Sequence, residues 1–492
     1  MRTDPQFVED HNQRRQGRGA TIHPLAMWVV AATMLVGGLV AVGARSTPDA
    51  SETVQVAPTQ PAARQVLAAT AASQTQTRAA DSTAHAPEAP TPPAAAAATP
   101  APAAPIVAEA AAPSTGFSFP TIDAPVATTP GCDGGYSSTD LNALIHNART
   151  GAGGIVGADY ARVQRLPDGR VLWVFQDVFV GGDGTSLHHA RFMHNAGLIQ
   201  DGSCFQVLTG DHGSWIGSDV EYPLHHWFWP LDSVVTADGH LAQFMVEMNN
   251  PTGRGATGGA VPVRVWIATI DMTDFSVVGL NLAPDSSDRP LYGFSITSDE
   301  HFHYLYGNCY RQFADAGWPF AHDTTCGPRT YVARVPLGHP EMTPEYWNGV
   351  TWSSMRQHAA PVLTRGQLAN PMQVRRVGDM FVSVTKIDDW WDNTVAIDIA
   401  RSPQGPWTSV TTMTVPTMCG EKCNTYFAEL LPWTDADGSL LIVISNNAWD
   451  MEHDAFAEPL LYRPGVLTVP VPAVIDVPFA QAGASCSATA PC

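Results

Sequence analysis

One pattern limits the fold of this chain more than any other. It is an extended run, a short turn built on Asp or Gly, and a second extended run, met five times. It occurs as ADYARVQRLPDGRVLWVFQD (158–177), LDSVVTADGHLAQFMVEM (231–248), YGFSITSDEHFHYLYGN (292–308), PMQVRRVGDMFVSVTK (371–386) and FAELLPWTDADGSLLIVISNN (427–447). β-Branched and aromatic runs around Asp-Gly turns are hairpin signals. With Asp168, Asp238, Asp299, Gly378 and Asp437 as markers, the spacings are 70, 61, 79 and 59 residues. Third strands follow in VRVWIATID (263–271), TYVARVPL (330–337) and TVAIDIARS (394–402), with later segments such as SPQGPWTSVTTM (402–413) behind them. Four antiparallel strands repeated about an axis make a propeller. Five units therefore predict an all-β, five-bladed β-propeller. The competing arrangement is an irregular β-sandwich or two smaller β domains.

The propeller repeats fill only the later part of the 492 residues. Residues 51–130 hold 26 Ala and 13 Pro, one Gly and no Trp, whereas 13 of the 14 Trp lie after residue 131. A stretch so poor in large apolar side chains cannot bury a core, so 45–130 reads as a disordered Ala/Pro-rich stalk. Before it, residues 25–44 (LAMWVVAATMLVGGLVAVGA) are uncharged and mostly apolar. At 1.5 Å per residue such a segment covers the ~30 Å hydrocarbon core of a bilayer. Arg14, Arg15 and Arg18 precede it and Arg45 follows it, which places the N-terminus in the cytoplasm. The expected organisation is a cytoplasmic segment 1–24, a transmembrane signal anchor 25–44, the stalk, and a propeller domain 131–492 that is exported. If the apolar segment is instead cleaved as a signal peptide, the domain is secreted.

Charge and cysteines agree with export. Asp and Glu number 46 against 26 Lys and Arg, a formal charge of −20, which argues against nucleic acid as a partner. All eight cysteines lie past residue 131, an even number that suggests disulfides in an exported domain. Cys309–Cys326, Cys419–Cys423 and Cys486–Cys492 are the simplest near pairs and leave Cys132–Cys204, one arrangement among many. The expected oligomeric state is a monomer.

Candidate chemistry gathers where the first strand of each blade opens into the central funnel. Leu166-Pro167-Asp168-Gly169-Arg170 fits a three-residue loop with 166 opposite 170. Counting outward, Asp159 falls opposite Asp177. Two carboxylates so placed raise the pKa of one of them, as a general acid requires. Asp232, Glu247 and Glu429 sit at comparable places in the second and fifth units, so acids of blades one, two and five form a glycosidase-like set. Trp227 and Trp229, and Trp390 and Trp391, are candidate surfaces for stacking on sugar, against plain core packing. No resident metal and no required cofactor is expected. Asp388, Asp389 and Asp392 form the only weak Ca2+ candidate, and His188, His189 and His194 lack a clean zinc spacing. G-x-S-x-G, H-E-x-x-H and phosphate-loop motifs do not occur.

GADYARVQRLPDGRVLWVFQDVF (157–179) resembles the opening blade of an exported bacterial five-bladed propeller family. That family was long known only as a domain of unknown function, and it includes endo-D-arabinanases. Where its opening strand ends in Gly-Asp-Thr-Phe, this chain has Gln176-Asp177-Val178-Phe179: the Asp is kept, the Gly and Thr are replaced. YWNGVTW (346–352), SPQGPW (402–407) and AELLPW…ISNN (428–447) are similar to later segments of that family and of other five-bladed furanosidases. The resemblance implies that Asp159 and Asp177 are the catalytic carboxylates of a glycoside hydrolase. It also implies a cell-wall or surface polysaccharide as substrate, with a furanose polymer such as arabinan as the class. The alternative is a non-catalytic glycan- or protein-binding propeller displayed on a stalk.

Overall fold

The computed structural model describes residues 125–470, apart from 128–131, 133, 148–153, 183, 211–212, 218–225, 250–260, 287–289, 309–328, 365–371, 388–392, 416–421 and 449. The anchor segment 25–44 and nearly all of the stalk lie outside this range, as do Trp390, Trp391 and the Ca2+ candidates Asp388, Asp389 and Asp392. Among the described residues no helix is long and apolar enough to cross a membrane.

Among the described residues, twenty-one strands form five antiparallel sheets. Blade one holds β1 (Pro125–Ala127), β2 (Ile155–Arg165), β3 (Val171–Val180), β4 (Arg191–Asp201) and β5 (Cys204–Gly210), in the order β1-β5-β4-β3-β2. Blade two is β6 (His226–Val235), β7 (Leu241–Asn249), β8 (Val261–Ile270) and β9 (Val277–Leu282). Blade three is β10 (Leu291–Ser298), β11 (Phe302–Asn308), β12 (Thr330–Pro336), β13 (Glu345–Trp347) and β14 (Trp352–Ser353). Blade four is β15 (Gln373–Val377), β16 (Met380–Lys386), β17 (Thr394–Ala400) and β18 (Thr408–Thr414). Blade five is β19 (Cys423–Thr434), β20 (Leu440–Ala448) and β21 (Gly465–Val469). The first strands β2, β6, β10, β15 and β19 touch one another in turn, and β19 returns to β2, so the ring closes about an axis. The five-bladed propeller read from the repeats is the fold.

Burial follows distance from the axis. The second strands β3, β16 and β20 are buried at every residue, because neighbouring blades cover both faces of each sheet. That is why their sequences run apolar without alternation. The outer strand β18, TSVTTMT, is half exposed and polar. The hairpin turns are local in origin. Leu166 N–H donates to the Arg170 carbonyl, Thr236 to His240 and Asp435 to Ser439, each at 2.8–2.9 Å. Gly169, Gly239 and Gly438 hold the same left-handed position at φ +91°, +86° and +86°, where a side chain would be strained.

Three details differ from the sequence reading. Blades are not uniformly four-stranded: blades one and three have five strands and blade five has three among the described residues. A helix, α1 (Ser138–Asn147), lies between β1 and β2 of the first blade. It buries Leu141 and Leu144 against Trp433 and Val466, and the Asn142 amide makes two 2.8 Å bonds with the Val466 backbone, as a paired strand would. The third difference concerns register. Loop pairing at 166–170 holds as counted, but Asp159 stands opposite Gln176 and not Asp177. The ladder slips between Asp159 and Arg162 and again between Gly157 and Asp159. Tyr160 (φ +46°) and Asp177 (φ +47°) are the left-handed residues at these bulges. A β-bulge adds one residue to one strand and re-aims the side chains beside it.

Bulges recur at the same level of other inner strands, between Pro230 and Ser233 in β6, Tyr292 and Ser295 in β10, and Tyr426 and Ala428 in β19. Phe427 is again left-handed (φ +45°). Cys132 and Cys204 form a disulfide that fastens the segment before α1 to β5. The other proposed pairs each include a cysteine outside the described residues.

Candidate functional site: two sets of buried carboxylates

Inner strands begin at one end of the ring, here the upper end, and run to the hairpin turns at the lower end. Asp159 and Asp177 lie toward the upper end, on β2 and β3. Each is 2% exposed. Asp159 Oδ2 accepts from the Tyr426 hydroxyl, while Oδ1 is buried with no hydrogen-bond partner. Asp177 Oδ1 accepts from Trp229 Nε1 and meets His194 Nδ1, both at 2.8 Å. The Asp177 backbone carbonyl accepts from the Tyr462 hydroxyl at 2.9 Å. Burial first, and then the Asp177 charge, raise the Asp159 carboxyl well above the usual carboxylate range, against the pull of the Tyr426 and Tyr462 hydroxyls. Among the described residues neither carboxylate is paired with an Arg or Lys.

The backbone around this pair is held in sparsely populated conformations. Left-handed Tyr160 stacks on left-handed Phe427, with ring centroids 4.4 Å apart, and its N–H donates to Ser445 Oγ at 2.9 Å. Three such non-glycine residues, each costing about 1–3 kcal/mol, meet beside two buried acids. Strain of this kind persists where surrounding structure over-determines it, and it collects at working sites.

Asp232 and Glu429 lie nearer the axis and are treated differently. Arg375, on β15, donates to Asp232 Oδ2 at 3.0 Å and to Glu429 Oε1. The same guanidinium reaches the carbonyls of Ile296 at 3.3 Å and Val163 at 3.1 Å. One side chain of blade four thus touches all four other blades. Arg162, on β2, does the same: it donates to the Pro230 and Phe294 carbonyls and to Gln373 Oε1, and lies over the Phe427 ring at 4.7 Å. Burial pushes Glu429 up to about 7, with Arg375 opposing it and Asp232 reinforcing it.

Glu247 is on β7, away from the axis. It is fully buried and accepts from Arg264, Trp266 Nε1 and His226 within blade two. The single constellation expected from blades one, two and five is therefore corrected to a pair, an axial ion cluster and a separate intrablade network. Trp227 and Trp229 are 1% and 2% exposed. They line the pair and offer no open ring face: Trp229 bonds Asp177, and Trp227 stacks on His194 at 4.7 Å. His188 and His189 stand apart on a 3-10 turn, Leu187–His189.

Sequence reading did not single out Tyr426, Tyr462, Arg162 or Arg375. A usable signal existed for the arginines, since an Arg inside an apolar inner strand must find acceptors when buried. Tyr462 comes from a turn after the last hairpin and carries no sequence mark.

Fold and site together define a class: five-bladed propellers with a buried carboxylate pair that, among the described residues, no Arg or Lys neutralises. Residues 145–469 match the family described as Domain of unknown function (DUF5005), and the chain belongs to that family. No curated protein matches it by sequence. Among solved structures, a candidate hydrolase from Bacteroides ovatus is similar at 17% identity and TM-score 0.51, over 68% of this chain and 89% of that one. A GH43_1 enzyme from Xanthomonas citri gives 12% identity and TM-score 0.40 over 69% and 98% of the two chains. A GH43 β-xylosidase/α-arabinofuranosidase from a compost metagenome gives 12% and 0.40 over 72% and 99%. At 17% identity the likeness to the Bacteroides ovatus structure speaks for the fold alone.

Proposed function

We propose that this protein is a glycoside hydrolase acting on a cell-wall or surface polysaccharide, with a furanose polymer such as arabinan as the substrate class. The observation that carries the reading is the Asp159–Asp177 pair: two buried carboxylates on adjacent strands, no Arg or Lys on either among the described residues, and burial plus mutual charge holding a proton on Asp159. A protonated carboxyl donates to the leaving glycosidic oxygen, and an ionised one supports the oxocarbenium-like centre or activates water. Asp159 takes the first role and Asp177 the second. Residues 25–44 anchor the chain with its N-terminus in the cytoplasm, and the Ala/Pro-rich stretch lets a monomeric domain reach nearby glycan outside. No metal is assigned a role.

The test is incubation of the full chain with a panel of wall and surface polysaccharides, reading released oligosaccharides by mass spectrometry. Wild type should release product, and Asp159→Asn and Asp177→Asn should not. Product that survives both substitutions would remove the pair from the chemistry. A second reading, a glycan-binding propeller, draws on the neutralised state of Asp232, Glu247 and Glu429 and on the burial of the pair itself. Retention on immobilised polysaccharide without cleavage would favour it.

A further inference from the structure

We propose that Tyr426, with Tyr462 packed beside it, is a positioning residue for Asp159: the Tyr426 hydroxyl engages Oδ2 and leaves Oδ1 as the atom that carries and delivers the proton. This deepens the hydrolytic reading and rests on it. The Tyr426 hydroxyl donates to Oδ2, whereas Oδ1 of the same carboxyl is buried and partnerless. A carboxyl that accepts on one oxygen keeps its own proton on the other. The Tyr462 hydroxyl sends its single proton to the Asp177 carbonyl at 2.9 Å, across the bulge where Asp177 is left-handed, and lies beside Asp159 as well. The two rings are 1% and 0% exposed. They arrive from outside the acid-bearing hairpin: Tyr426 from β19, Tyr462 from the turn Pro459–Tyr462. Blade five, through β19 and the turn before β21, thus sets the geometry of blade one.

In the step itself the Oδ1–H bond breaks and the proton passes to the glycosidic oxygen. That oxygen's bond to the sugar carbon breaks, and the electron pair stays on the oxygen. Asp159 becomes a carboxylate. Water gives its hydroxyl to the sugar carbon, and its remaining proton returns to the pair. The groups facing Asp159 are Asp177 from β3, with His194 of β4 behind it, Tyr426 from β19, and Tyr462 from the turn before β21.

The experiment uses the full chain and difference infrared titration, which reads a protonated-carboxyl band identified by its loss in Asp159→Asn. A hydroxyl donating to Oδ2 favours the ionised form, so Tyr426→Phe should move the disappearance of that band upward by about one to two pH units. Tyr462→Phe should move it the same way by less. If Tyr426→Phe fails to fold, 3-fluorotyrosine at 426, a stronger donor of the same shape, should move the band downward. With released sugar as the second readout, the alkaline limb of activity should shift with the band. A band that stays in place in the folded variants overturns the proposal. A wild type that releases no sugar sinks the hydrolytic reading instead, while the infrared shift still decides the positioning.

Discussion

Asp159 and Glu429 stand on the inner strands of adjoining blades, and both are almost wholly removed from water. Each also keeps one oxygen buried without a hydrogen-bond partner. Their other oxygens meet opposite treatment. Glu429 is given a guanidinium, Arg375, which it shares with Asp232. Asp159 is given a tyrosine hydroxyl and a second carboxylate for company. Burial alone therefore does not mark a working acid; the charge partner does. A buried carboxylate bound to an arginine that reaches four other strands holds the ring together, and removing one partner strands the other charge. A buried carboxylate facing another carboxylate costs stability, and the neighbouring charge adds to burial in holding its proton well above the usual carboxylate range.

That contrast can be broken or sharpened by substitution. The largest expected effect is on turnover: Asp159→Asn or Asp177→Asn should lower the release of oligosaccharides by about 10²–10⁴-fold, with the unfolding temperature unchanged or raised. Next comes Arg375→Ala, which leaves Asp232 and Glu429 buried and unpaired and should cost about 3–5 kcal/mol in chemical denaturation. A loss of activity from Arg375→Ala at wild-type stability would contradict the structural role given to the axial cluster.

A smaller effect is pH-linked. The folded state holds the Glu429 proton more tightly than the unfolded chain does. Its contribution is therefore full below about pH 4.5 and is lost as pH rises through about 7. Denaturation curves against pH should flatten in Glu429→Gln, and flatten further when Asp159→Asn is added. Smallest is Trp229→Phe, which removes one of two donors to Asp177 and should lower turnover roughly tenfold while leaving the axial cluster intact.

Much of the architecture was legible because it is local. Asp168-Gly169, Asp238-Gly239 and Asp437-Gly438 make their turns from their own dihedral preferences and near-neighbour bonds, so five hairpins could be counted and a five-bladed ring inferred. Asp159 and Asp177 were reachable by counting from the first of those turns. Their relation was not, because the count assumed an even ladder. The bulges at Tyr160 and Asp177 are imposed by contacts from blade five: Phe427 against Tyr160, Ser445 on its N–H, and Tyr462 on the Asp177 carbonyl. Likewise Asp232, Glu247 and Glu429 looked alike in sequence. Only the folded ring decided that Arg375, from 143 residues away, neutralises the first of them, that the third shares that arginine, and that the second is tied inside its own blade.

The sequence by itself thus determined the five hairpins, their turns and the residue types near the axis. Tertiary structure alone decided which acids share an arginine and which face another carboxylate. The physical reason is range: turn and strand preferences act within a few residues, whereas the ionisation of a buried carboxylate is set by whatever charges and donors the closed ring brings within a few ångströms of it.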